Sequence, residues 1–406
     1  MAQFGLLGRK LGHSWSPEIH ALLGSAPYSL VEREPEELEG FLQTTYLDAM
    51  NVTIPYKKDV ISFCTRLSAE AEKLGSVNTM VRRDDGWHGY NTDYFGFCRM
   101  LASAGICPEN KKVLVLGSGG ASLTVVAALR DLGAVNVTVI SRSGPDNYEN
   151  LHRHADAQII VNTTPVGMYP NNGQAPVSLE LFPKCEGVAD LIYNPAMTAL
   201  LLDAESRGIP YAGGLTMLVA QAKAASELFR GISLPDKLIP EITTALQRKM
   251  RNIVLIGMPG CGKTTVSEAL GRVLNMPVVD ADHEIEAEAG MTIPEIFAKD
   301  GEDGFRKLET RVLERLGKQT GIILSTGGGC VTRQDNYSHL RQNGFVIWLQ
   351  RDLDRLPTDG RPLSQSGRLR EMYRVREPLY RSFAHTAVDN NGTLEYTIQS
   401  ILEALK

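Results

Sequence analysis

The chain contains, twice, a run of aliphatic residues followed by a glycine-rich turn and a stretch with helical character. The first copy covers residues 113–132 (VLVLGSGGASLTVVAALRDL) and the second covers residues 253–274 (IVLIGMPGCGKTTVSEALGRVL). A strand that is apolar throughout is buried on both faces, which favours a parallel sheet covered by helices on both sides. A glycine turn between strand and helix lets backbone amides approach phosphate groups. The repeated pattern predicts an α/β protein with two nucleotide-binding folds.

Length, charge and cysteine content narrow the classes of protein that fit this pattern. The 406 residues, 43% of them hydrophobic, suffice for two or three folded units. A net charge of -5 argues against a nucleic-acid binder, which needs a basic face. The six cysteines form no Cys-x-x-Cys pair and no cluster with histidine that suits zinc. Without a signal peptide or an apolar stretch of membrane-spanning length, we expect a cytoplasmic protein with no membrane partner, either monomer or homodimer.

The first glycine turn predicts a dinucleotide site. Its backbone amides and the following helix N-terminus suit a pyrophosphate, although such turns also occur where a strand and a helix merely pack closely. The next predicted strand, residues 135–140, is followed by Ser141 and Arg142, at a position where an NAD-specific fold carries an acidic residue. An arginine there suits the 2′-phosphate of NADP, and its alternative is an ordinary solvated arginine. A polar loop at residues 162–168 follows another predicted strand, beside the expected position of the nicotinamide ribose. The residues assigned to this site are Gly117, Ser118, Gly119, Gly120, Ala121, Ser141, Arg142 and Thr163.

The second glycine turn matches the complete Walker A pattern, GMPGCGKT at residues 257–264, between a predicted strand and a predicted helix. Backbone amides are expected to surround the ATP phosphates, Lys263 to offset their charge, and Thr264 to bind Mg²⁺. A polar stretch at residues 247–252 directly precedes this strand, and we place the junction between two enzymes there. The residues assigned to ATP are Gly260, Cys261, Gly262, Lys263, Thr264 and Thr265.

Residues 1–247 resemble the shikimate dehydrogenase family. The resemblance is carried, in order, by residues 12–17 (GHSWSP), 51–57 (NVTIPYK), 75–79 (GSVNT), 91–93 (NTD), the first glycine turn, 190–195 (DLIYNP) and 214–221 (GLTMLVAQ). It implies 3-dehydroshikimate and shikimate as small-molecule substrates and NADP(H) as cofactor, with Gly214 added to the cofactor site. Reduction of a ring ketone needs a proton donor near the oxygen, a role that suits adjacent lysine and aspartate residues, here Lys57 and Asp93.

The same resemblance implies a shell of substrate-binding residues. They are Ser14, Ser16, Asn51, Thr53, Lys57, Asn78, Asp93, Tyr193 and Gln221. Taken singly, each has an ordinary alternative: Ser14 and Ser16 as helix caps, Asn78 in a turn, Lys57 as a solvated lysine. The chain departs from the usual family form at residues 9–11 (RKL) and at Ala21, which leaves the preference for shikimate or quinate open.

From about residue 251 to the end, the chain resembles shikimate kinase. The motifs are residues 280–282 (DAD), 304–309 (GFRKLE), 325–329 (STGGG), 361–363 (RPL) and 376–380 (REPLY). Phosphoryl transfer to a hydroxyl needs a carboxylate beside the acceptor, for which Asp282 is suited, and a cation shell, for which Asp280 is suited beside Thr264.

The kinase resemblance also implies how shikimate is bound. Arg306 and Arg376 are expected to bind the substrate carboxylate, unless they are surface arginines paired with Glu309 or Glu377. The backbone of Gly327, Gly328 and Gly329 is expected to approach the substrate ring. Arg361 is expected on a lid near residues 353–366 that closes over the phosphates, with Arg355 on the adenine side.

The two resemblances imply consecutive reactions, a reduction that forms shikimate and a phosphorylation that consumes it. We therefore expect a dehydrogenase with an α/β substrate domain (residues 1–102, completed by 215–247) and a Rossmann NADP domain (103–214), followed by a three-layer α/β/α P-loop kinase domain (251–406). One alternative is a quinate-preferring dehydrogenase joined to a kinase for another polyol, but the intact Arg306 and Arg376 argue against it. A regulatory protein that has lost catalysis would carry substitutions at Lys57, Asp93, Lys263 or Asp282, and none of the four is substituted.

Overall fold

The structure is a computed structural model that describes residues 2–12, 14–356 and 366–406. The chain divides into two compact units. The first comprises residues up to 168, 174–194 and 200–246, and the second comprises residues 169–173, 195–199 and 247 onward. The predicted lid residue Arg361 lies outside the described residues.

The first unit begins with a mixed sheet of six strands. Its elements are β1 (Phe4–Gly8), α1 (Ser16–Leu22), β2 (Tyr28–Glu32), α2 (Leu38–Thr44), β3 (Ala49–Val52), β4 (Cys64–Leu67), α3 (Ala69–Leu74), β5 (Thr79–Arg83) and β6 (Gly86–Tyr90). The strand order is β2-β1-β3-β5-β6-β4. Strand β1 pairs in parallel with β2 and β3, whereas β5 runs antiparallel to β3 and β6.

A second sheet of five strands follows in the same unit, and all of its strand pairs are parallel. Its elements and adjoining helices are α4 (Asp93–Ser103), β7 (Lys112–Leu116), α5 (Gly120–Asp131), β8 (Asn136–Ile140), β9 (Ile159–Asn162), β10 (Gly187–Asp190), α6 (Ala199–Ser206), β11 (Tyr211–Gly213), α7 (Gly214–Arg230) and α8 (Leu238–Met250). The order is β11-β10-β9-β7-β8. Strand β8 is added on one side of β7, and β9, β10 and β11 are added on the other side. The strand order therefore reverses between β7 and β9, which is where open α/β sheets form their ligand crevice.

The second unit contains another five-stranded sheet, also parallel throughout. Its elements are β12 (Asn252–Ile256), α9 (Lys263–Leu274), β13 (Val278–Asp280), α10 (Ala281–Ala289), α11 (Ile293–Gly317), β14 (Ile323–Ser325), α12 (Asp335–Arg341), β15 (Gly344–Gln350), α13 (Ser366–Phe383), β16 (Thr386–Asp389) and α14 (Leu394–Ala404). The order is β13-β14-β12-β15-β16. Helix α11 is kinked at Gly301, whose φ of 69° and ψ of -174° are not helical.

The aliphatic runs that dominate the sequence form the central strands of the two parallel sheets. Residues 113–116 of β7 and 253–256 of β12 are at most 3% exposed. Helices cover these strands, and the apolar side chains of both layers form the cores. The predicted α/β class, with a Rossmann sheet followed by a P-loop fold, is confirmed. None of the helices in the described parts of the chain combines the length and apolar character needed to cross a bilayer.

Candidate active sites

The first candidate site is centred on an ion pair between Lys57 and Asp93. Lys57 follows β3 after one tight turn, and Asp93 is the first residue of α4. Lys57 Nζ donates to Asp93 Oδ2 at 2.7 Å, and the two side chains are 28% and 18% exposed. A carboxylate in the first turn of a helix is stabilised by the free backbone N–H groups there. The alternative interpretation of Lys57 as an ordinary solvated lysine is therefore wrong.

Asn78 is the centre of a network of buried amide and hydroxyl groups. The network includes Thr92, the residue directly before Asp93. Asn78 precedes β5 and is 3% exposed. Its Nδ2 donates to Thr92 Oγ1 at 3.1 Å and to Gln221 Oε1 at 3.3 Å, while its Oδ1 accepts the Thr92 N–H at 2.8 Å. Since Thr92 directly precedes Asp93, this network fixes the start of α4. The structure thus brings the predicted residues Asn78 and Gln221 together.

Close packing of α4 against α7 carries Gln221 to this position. A Cβ atom on Gly96 of α4 would lie 2.7 Å from the Met217 carbonyl oxygen and 3.0 Å from Gln221 Cβ. Real Cβ atoms essentially never come within 3.0 Å of a backbone oxygen, so only glycine permits this approach. The nearness of two helices that are far apart in sequence therefore depends on one missing side chain.

Asn51 and Thr53 lie at the end of β3, and the protein itself engages the side chain of Asn51 but only the backbone of Thr53. Asn51 is 5% exposed, donates from Nδ2 to Thr79 Oγ1 at 3.1 Å, and accepts the Tyr28 hydroxyl at 2.8 Å. The Thr53 N–H donates to the Leu7 carbonyl at 2.9 Å. The half-buried Thr53 side chain remains available to a ligand.

Ser14, Ser16 and Tyr193 occupy the start of α1 and the segment after β10. Ser14 Oγ accepts the Ser16 N–H at 3.3 Å, but the N-cap residue of α1 is Trp15 and no side chain caps this helix, so the simple helix-cap interpretation is wrong. Tyr193 packs against an apolar cluster that includes Leu215, and burial raises the pKa of its phenol.

Of the residues that depart from the usual family form, Arg9, Lys10 and Ala21 are exposed and Leu11 is half-buried. Arg9 donates to Glu34 at 2.8 Å, and both side chains are about half exposed (55% and 51%). Ala21 is likewise exposed on α1, beside the fully buried His20. Burial lowers the pKa of His20 to about 3, so this imidazole is neutral.

The predicted dinucleotide turn lies at the carboxyl end of β7, at the point where the strand order reverses. Gly117 has φ of +103°, and a Cβ there would lie 2.8 Å from Thr164 Cγ2 and 2.9 Å from Thr163 Oγ1. By contrast, a Cβ on Gly119 or Gly120 would meet nothing within 4 Å. The turn is therefore packed on its inner side and open on the side where α5 presents its N-terminus, as pyrophosphate binding requires.

The other residues predicted for NADP surround the same end of the sheet. Thr163 follows β9 and donates from Oγ1 to the Leu116 carbonyl at 2.7 Å. Gly214 starts α7, and a Cβ there would lie 2.1 Å from the Leu191 carbonyl oxygen. Arg142 follows Ser141 after β8 and is exposed. Burial raises the pKa of Tyr148, and the neighbouring Arg142 charge partly offsets this rise.

The second candidate site is a cavity of about 810 Å³ in the second unit. It is bounded by the ends of β12, β13 and β14, because the carboxyl ends of parallel strands meet at one edge of a sheet. Its lining includes Ile293, Phe297, Phe305 and Met372 as an apolar wall. The predicted residues that line it are Gly260, Gly262, Lys263, Thr264, Thr265, Asp280, Asp282, Arg306, Gly327, Gly328, Gly329 and Arg376.

In the Walker A segment, residues 257–264 (the phosphate loop), the side chain of Lys263 hydrogen-bonds to backbone carbonyls of the loop itself. Lys263 Nζ donates to the carbonyls of Gly257 at 3.0 Å and Met258 at 3.1 Å, and the residue is 8% exposed. Gly260 and Gly262 have φ values of 80° and 98°, a region that favours glycine. Cys261 is fully buried beneath the loop, so the predicted ATP contact at this position would be made through its backbone.

Oxygen ligands for a divalent cation stand beside this loop. Thr264 Oγ1 donates to Asp280 Oδ2 at 3.0 Å. Within the described residues, no group of three or more His, Cys, Asp or Glu side chains is arranged to hold a metal. A hydroxyl and one carboxylate suit Mg²⁺, which keeps several waters and phosphate oxygens among its ligands.

Asp282 and Glu309 place two carboxylates at the floor of the cavity. A Cβ on Gly327 would lie 2.8 Å from Asp282 Oδ1 and 2.9 Å from Glu309 Oε1. Burial raises the pKa of Asp282, and the nearby Asp280 charge raises it further, while Lys263 and Arg306 act in the opposite direction. Asp282 is therefore a stronger base than an exposed aspartate, which suits proton acceptance from a hydroxyl.

Arg306 is a buried arginine rather than the surface residue of the alternative interpretation. It is 8% exposed, and its Nη1 donates to Glu309 Oε2 at 2.7 Å. Arg306 therefore does pair with Glu309, as the alternative interpretation suggested, but it does so in the interior and not on the surface. Arg306 Nε and Glu309 Oε1 have no hydrogen-bond partner among the described residues. Buried polar atoms of this kind mark a place where a polar ligand or water completes the bonding.

Arg376 reaches the cavity from α13 and is 7% exposed. Its Nη1 donates to the Gly328 carbonyl at 3.1 Å. Glu377 does not pair with it but with Arg381, at 2.5 Å, so the surface interpretation of Arg376 is also wrong. Arg355 donates to the Asn391 carbonyl at 2.6 Å and is exposed.

Three residues in or beside this site were not assigned to it from the sequence. Glu309 was considered only as a surface partner of Arg306, because an (i, i+3) charge pair is usually solvated. Tyr380 binds the Gly328 carbonyl, and Asn390 Nδ2 donates to the Cys261 carbonyl at 2.6 Å. The only local signal for Tyr380 was its place in the REPLY motif, and Asn390 had none.

Together, the fold and the two sites define a bifunctional enzyme in which a dinucleotide-dependent oxidoreductase precedes a P-loop kinase. Residues 6–80 match the family model of the shikimate dehydrogenase substrate binding domain, and residues 259–406 match that of shikimate kinase. The chain is 34% identical to the shikimate dehydrogenase (NADP(+)) of Clostridium beijerinckii over 271 residues, which are 62% of this chain and 100% of that protein. The chain therefore belongs to the shikimate dehydrogenase family, with a shikimate kinase domain fused after it.

Solved structures agree with this assignment. A chorismate mutase/shikimate 5-dehydrogenase fusion protein from Clostridium acetobutylicum is 36% identical with a TM-score of 0.58, covering 61% of this chain and 98% of that chain. The shikimate 5-dehydrogenase of Thermus thermophilus, in complex with NADP(H) and shikimate, is 31% identical with a TM-score of 0.55, covering 60% of this chain and 99% of that chain. The recognition of a dehydrogenase–kinase fusion from sequence motifs is confirmed.

Proposed function

We propose that the chain reduces 3-dehydroshikimate to shikimate with NADPH and then phosphorylates shikimate to shikimate 3-phosphate with ATP. The observation that carries the proposal is the pairing, within one chain, of the Lys57–Asp93 site with a P-loop cavity holding Asp282 and Arg306. The product of the first reaction is the substrate of the second. We assign residues 1–102 and 215–247 to the substrate domain, 103–214 to the NADP domain and 251–406 to the kinase.

In the reduction, Lys57 and Asp93 handle the proton. NADPH, when bound at the first glycine turn (residues 117–121), supplies the hydride to the carbonyl carbon of the ring ketone. The Lys57 ammonium donates a proton to the ketone oxygen, and the Asp93 carboxylate at 2.7 Å keeps that ammonium oriented. The amides of Asn78 and Gln221 and the hydroxyls of Ser14, Ser16 and Thr53 bind the ring hydroxyls and carboxylate.

In the phosphorylation, Asp282 accepts the proton of the attacking hydroxyl while that oxygen bonds to the terminal phosphorus of ATP, and the bond from this phosphorus to the bridging oxygen breaks to release ADP. Arg306 and Arg376 bind the shikimate carboxylate and so orient the ring. Lys263 and the amides of the phosphate loop offset the charge on the transferred group. Thr264 and Asp280 are the residues that would hold Mg²⁺, which supplies further charge neutralisation on the phosphates when bound.

A product assay tests both halves of the proposal. Purified chain is given 3-dehydroshikimate and NADPH, with and without MgATP, and products are identified by mass. Shikimate is expected without ATP and shikimate 3-phosphate with it. Lys57→Ala is expected to abolish only the reduction and Lys263→Ala only the phosphorylation. The phosphorylation by Lys57→Ala is measured with shikimate supplied directly, so that each variant is the folding control for the other.

Parallel reactions with quinate and NAD⁺ test the remaining alternative. The same enzyme is assayed in the oxidative direction with shikimate or quinate and with either nicotinamide cofactor. A higher kcat/KM for shikimate with NADP⁺ is expected. A clear preference for quinate, NADPH left unconsumed, or shikimate left unphosphorylated would overturn the corresponding part of the proposal.

A further inference from the structure

We propose that Tyr380 is a positioning residue of the kinase site, whose hydroxyl fixes the Gly328 peptide and, through it, the substrate-binding Arg376. The proposal rests on the kinase activity proposed above. Tyr380 is fully buried, and its hydroxyl donates a hydrogen bond to the Gly328 carbonyl. Arg376 Nη1 donates to the same oxygen at 3.1 Å. One carbonyl of the segment Gly327–Gly329, called here the glycine loop, thus accepts hydrogen bonds from two side chains of α13.

The two donors are four residues apart and project from one face of α13. Side chains at (i, i+4) are neighbours on a helix surface, so both reach the same acceptor without distortion. A guanidinium has five N–H donors in a planar fork, and fixing one of them to a carbonyl leaves the others oriented by the plane of the group. The Gly328 oxygen therefore determines where the free edge of Arg376 points in the cavity.

Gly328 is held from its other side by the phosphate loop. A Cβ on Gly328 would lie 2.5 Å from Pro259 Cδ and 2.6 Å from Pro259 Cγ, so this peptide packs directly on the loop. The Tyr380 oxygen also lies 3.8 Å from the sulfur of Met258 in the same loop. Tyr380 thus lies where the loop that surrounds the ATP phosphates meets the loop expected to contact shikimate.

The hydroxyl of Tyr380, rather than its ring, makes these contacts. The ring stacks on Trp348 with centroids 5.8 Å apart and 24° between planes, packing that a phenylalanine would preserve. Tyr380→Phe therefore removes one buried donor and leaves Gly328 with Arg376 alone. Loss of such a bond costs about 1 kcal/mol, so we expect the KM for shikimate to rise about three- to tenfold, with little change in the KM for ATP.

The test compares Tyr380→Phe with Tyr373→Phe in the full chain. Tyr373 lies on the same helix, packs partly against the same core, and has no hydrogen-bond partner for its hydroxyl among the described residues. Kinase kcat and the KM values for shikimate and ATP are measured for both variants, and binding of ADP is titrated. We expect a raised KM for shikimate in Tyr380→Phe only, with ADP binding retained.

A double-mutant cycle with Arg376→Lys separates positioning from general stability. If Tyr380 acts through Arg376, Tyr380→Phe has a much smaller effect on the KM for shikimate in the Arg376→Lys background. The proposal is wrong if Tyr380→Phe leaves the KM for shikimate unchanged, if it weakens ADP binding to the same extent, or if the two substitutions act additively. Absence of shikimate phosphorylation by the wild-type chain would instead refute the kinase activity itself.

Discussion

The ammonium of Lys57 lies 2.7 Å from the carboxylate of Asp93, and both side chains are largely covered, at 28% and 18% exposure. Asp93→Asn keeps the size of the side chain but removes the charge that orients the ammonium. Since positioned proton transfer contributes about a hundredfold or more to rate, we expect kcat of the reduction to fall by at least about that factor. Initial-rate measurements of NADPH consumption check this, with shikimate phosphorylation unchanged.

Asp131→Asn is the matched control for this prediction. Asp131 pairs with Lys73 at 2.6 Å in the same unit and accepts the Tyr94 hydroxyl at 2.9 Å, but the Asp131 and Lys73 side chains are 41% and 54% exposed and lie on the surface. A solvated ion pair contributes little, so the rate of reduction should stay within about twofold of the wild type. Equal losses in the two variants would show that Asp93 has no special part in the reaction.

Asp282 is predicted to lower stability while it serves catalysis. Burial, followed by the Asp280 charge, raises the pKa of its carboxyl, so the folded state favours the protonated form. The contribution of this group to stability is full at low pH and is lost as the pH rises through the raised pKa. Asp282→Asn should therefore lower kinase kcat by about a hundredfold or more without destabilising the fold at neutral pH.

Hydrogen exchange in peptides of β12 and β15 at two pH values measures this effect. Asp282→Asn should protect these strands as well as or better than the wild type at neutral pH, and the difference should disappear below the usual aspartate pKa of about 3.9. Asp303→Asn has the opposite sign, because the Lys307 partner lowers the pKa of Asp303. Weaker protection in Asp282→Asn at neutral pH would contradict the argument.

The parts of the fold that could be predicted from sequence are those set by local physics. A strand buried on both faces must be apolar throughout, and a phosphate loop needs glycines at fixed spacing, so β7 and β12 with their turns were recognisable. Glu309 was not, because its spacing from Arg306 is the same in a solvated helix and in a buried one. Only the packing of Gly327 and Gly329 against these side chains distinguishes the two cases. The catalytic and binding roles remain predictions.

Gly119 offers a test of the dinucleotide site that does not disturb the fold. Its φ of -78° is open to any residue, and a Cβ there would meet nothing within 4 Å. Gly119→Ala should therefore fold normally, but its methyl group would enter the space that the turn leaves for a pyrophosphate. We expect the KM for NADPH to rise about tenfold or more, measured by initial rates at saturating 3-dehydroshikimate.

Gly40→Ala is the control for the added methyl group. Gly40 lies within α2, and its Cβ would also meet nothing within 4 Å. Alanine stabilises a helix interior by up to about 1 kcal/mol relative to glycine, so this variant should be at least as stable as the wild type. An unchanged KM for NADPH in Gly119→Ala would place the pyrophosphate elsewhere.

Asn390 is predicted to set the affinity for ATP from outside the Walker A motif. Its Nδ2 donates to the Cys261 carbonyl at 2.6 Å, and its Oδ1 accepts the Thr397 hydroxyl at 2.7 Å. A Cβ on Gly262 would lie 2.8 Å from the same Nδ2, so the amide touches the loop directly. Asn390→Ala removes this support, and we expect the KM for ATP to rise about five- to tenfold while the KM for shikimate changes little.

Asn336 provides a matched asparagine that makes the same kind of bond away from the phosphate loop. It is fully buried, and its Nδ2 donates to the Cys330 carbonyl at 2.7 Å. Cys330 directly follows Gly327–Gly329, the loop expected to contact shikimate. Asn336→Ala should therefore disturb the KM for shikimate more than the KM for ATP, the reverse of Asn390→Ala. If both variants changed the two KM values in the same proportion, the amides would be general stability elements, and Asn390 would have no specific effect on the nucleotide.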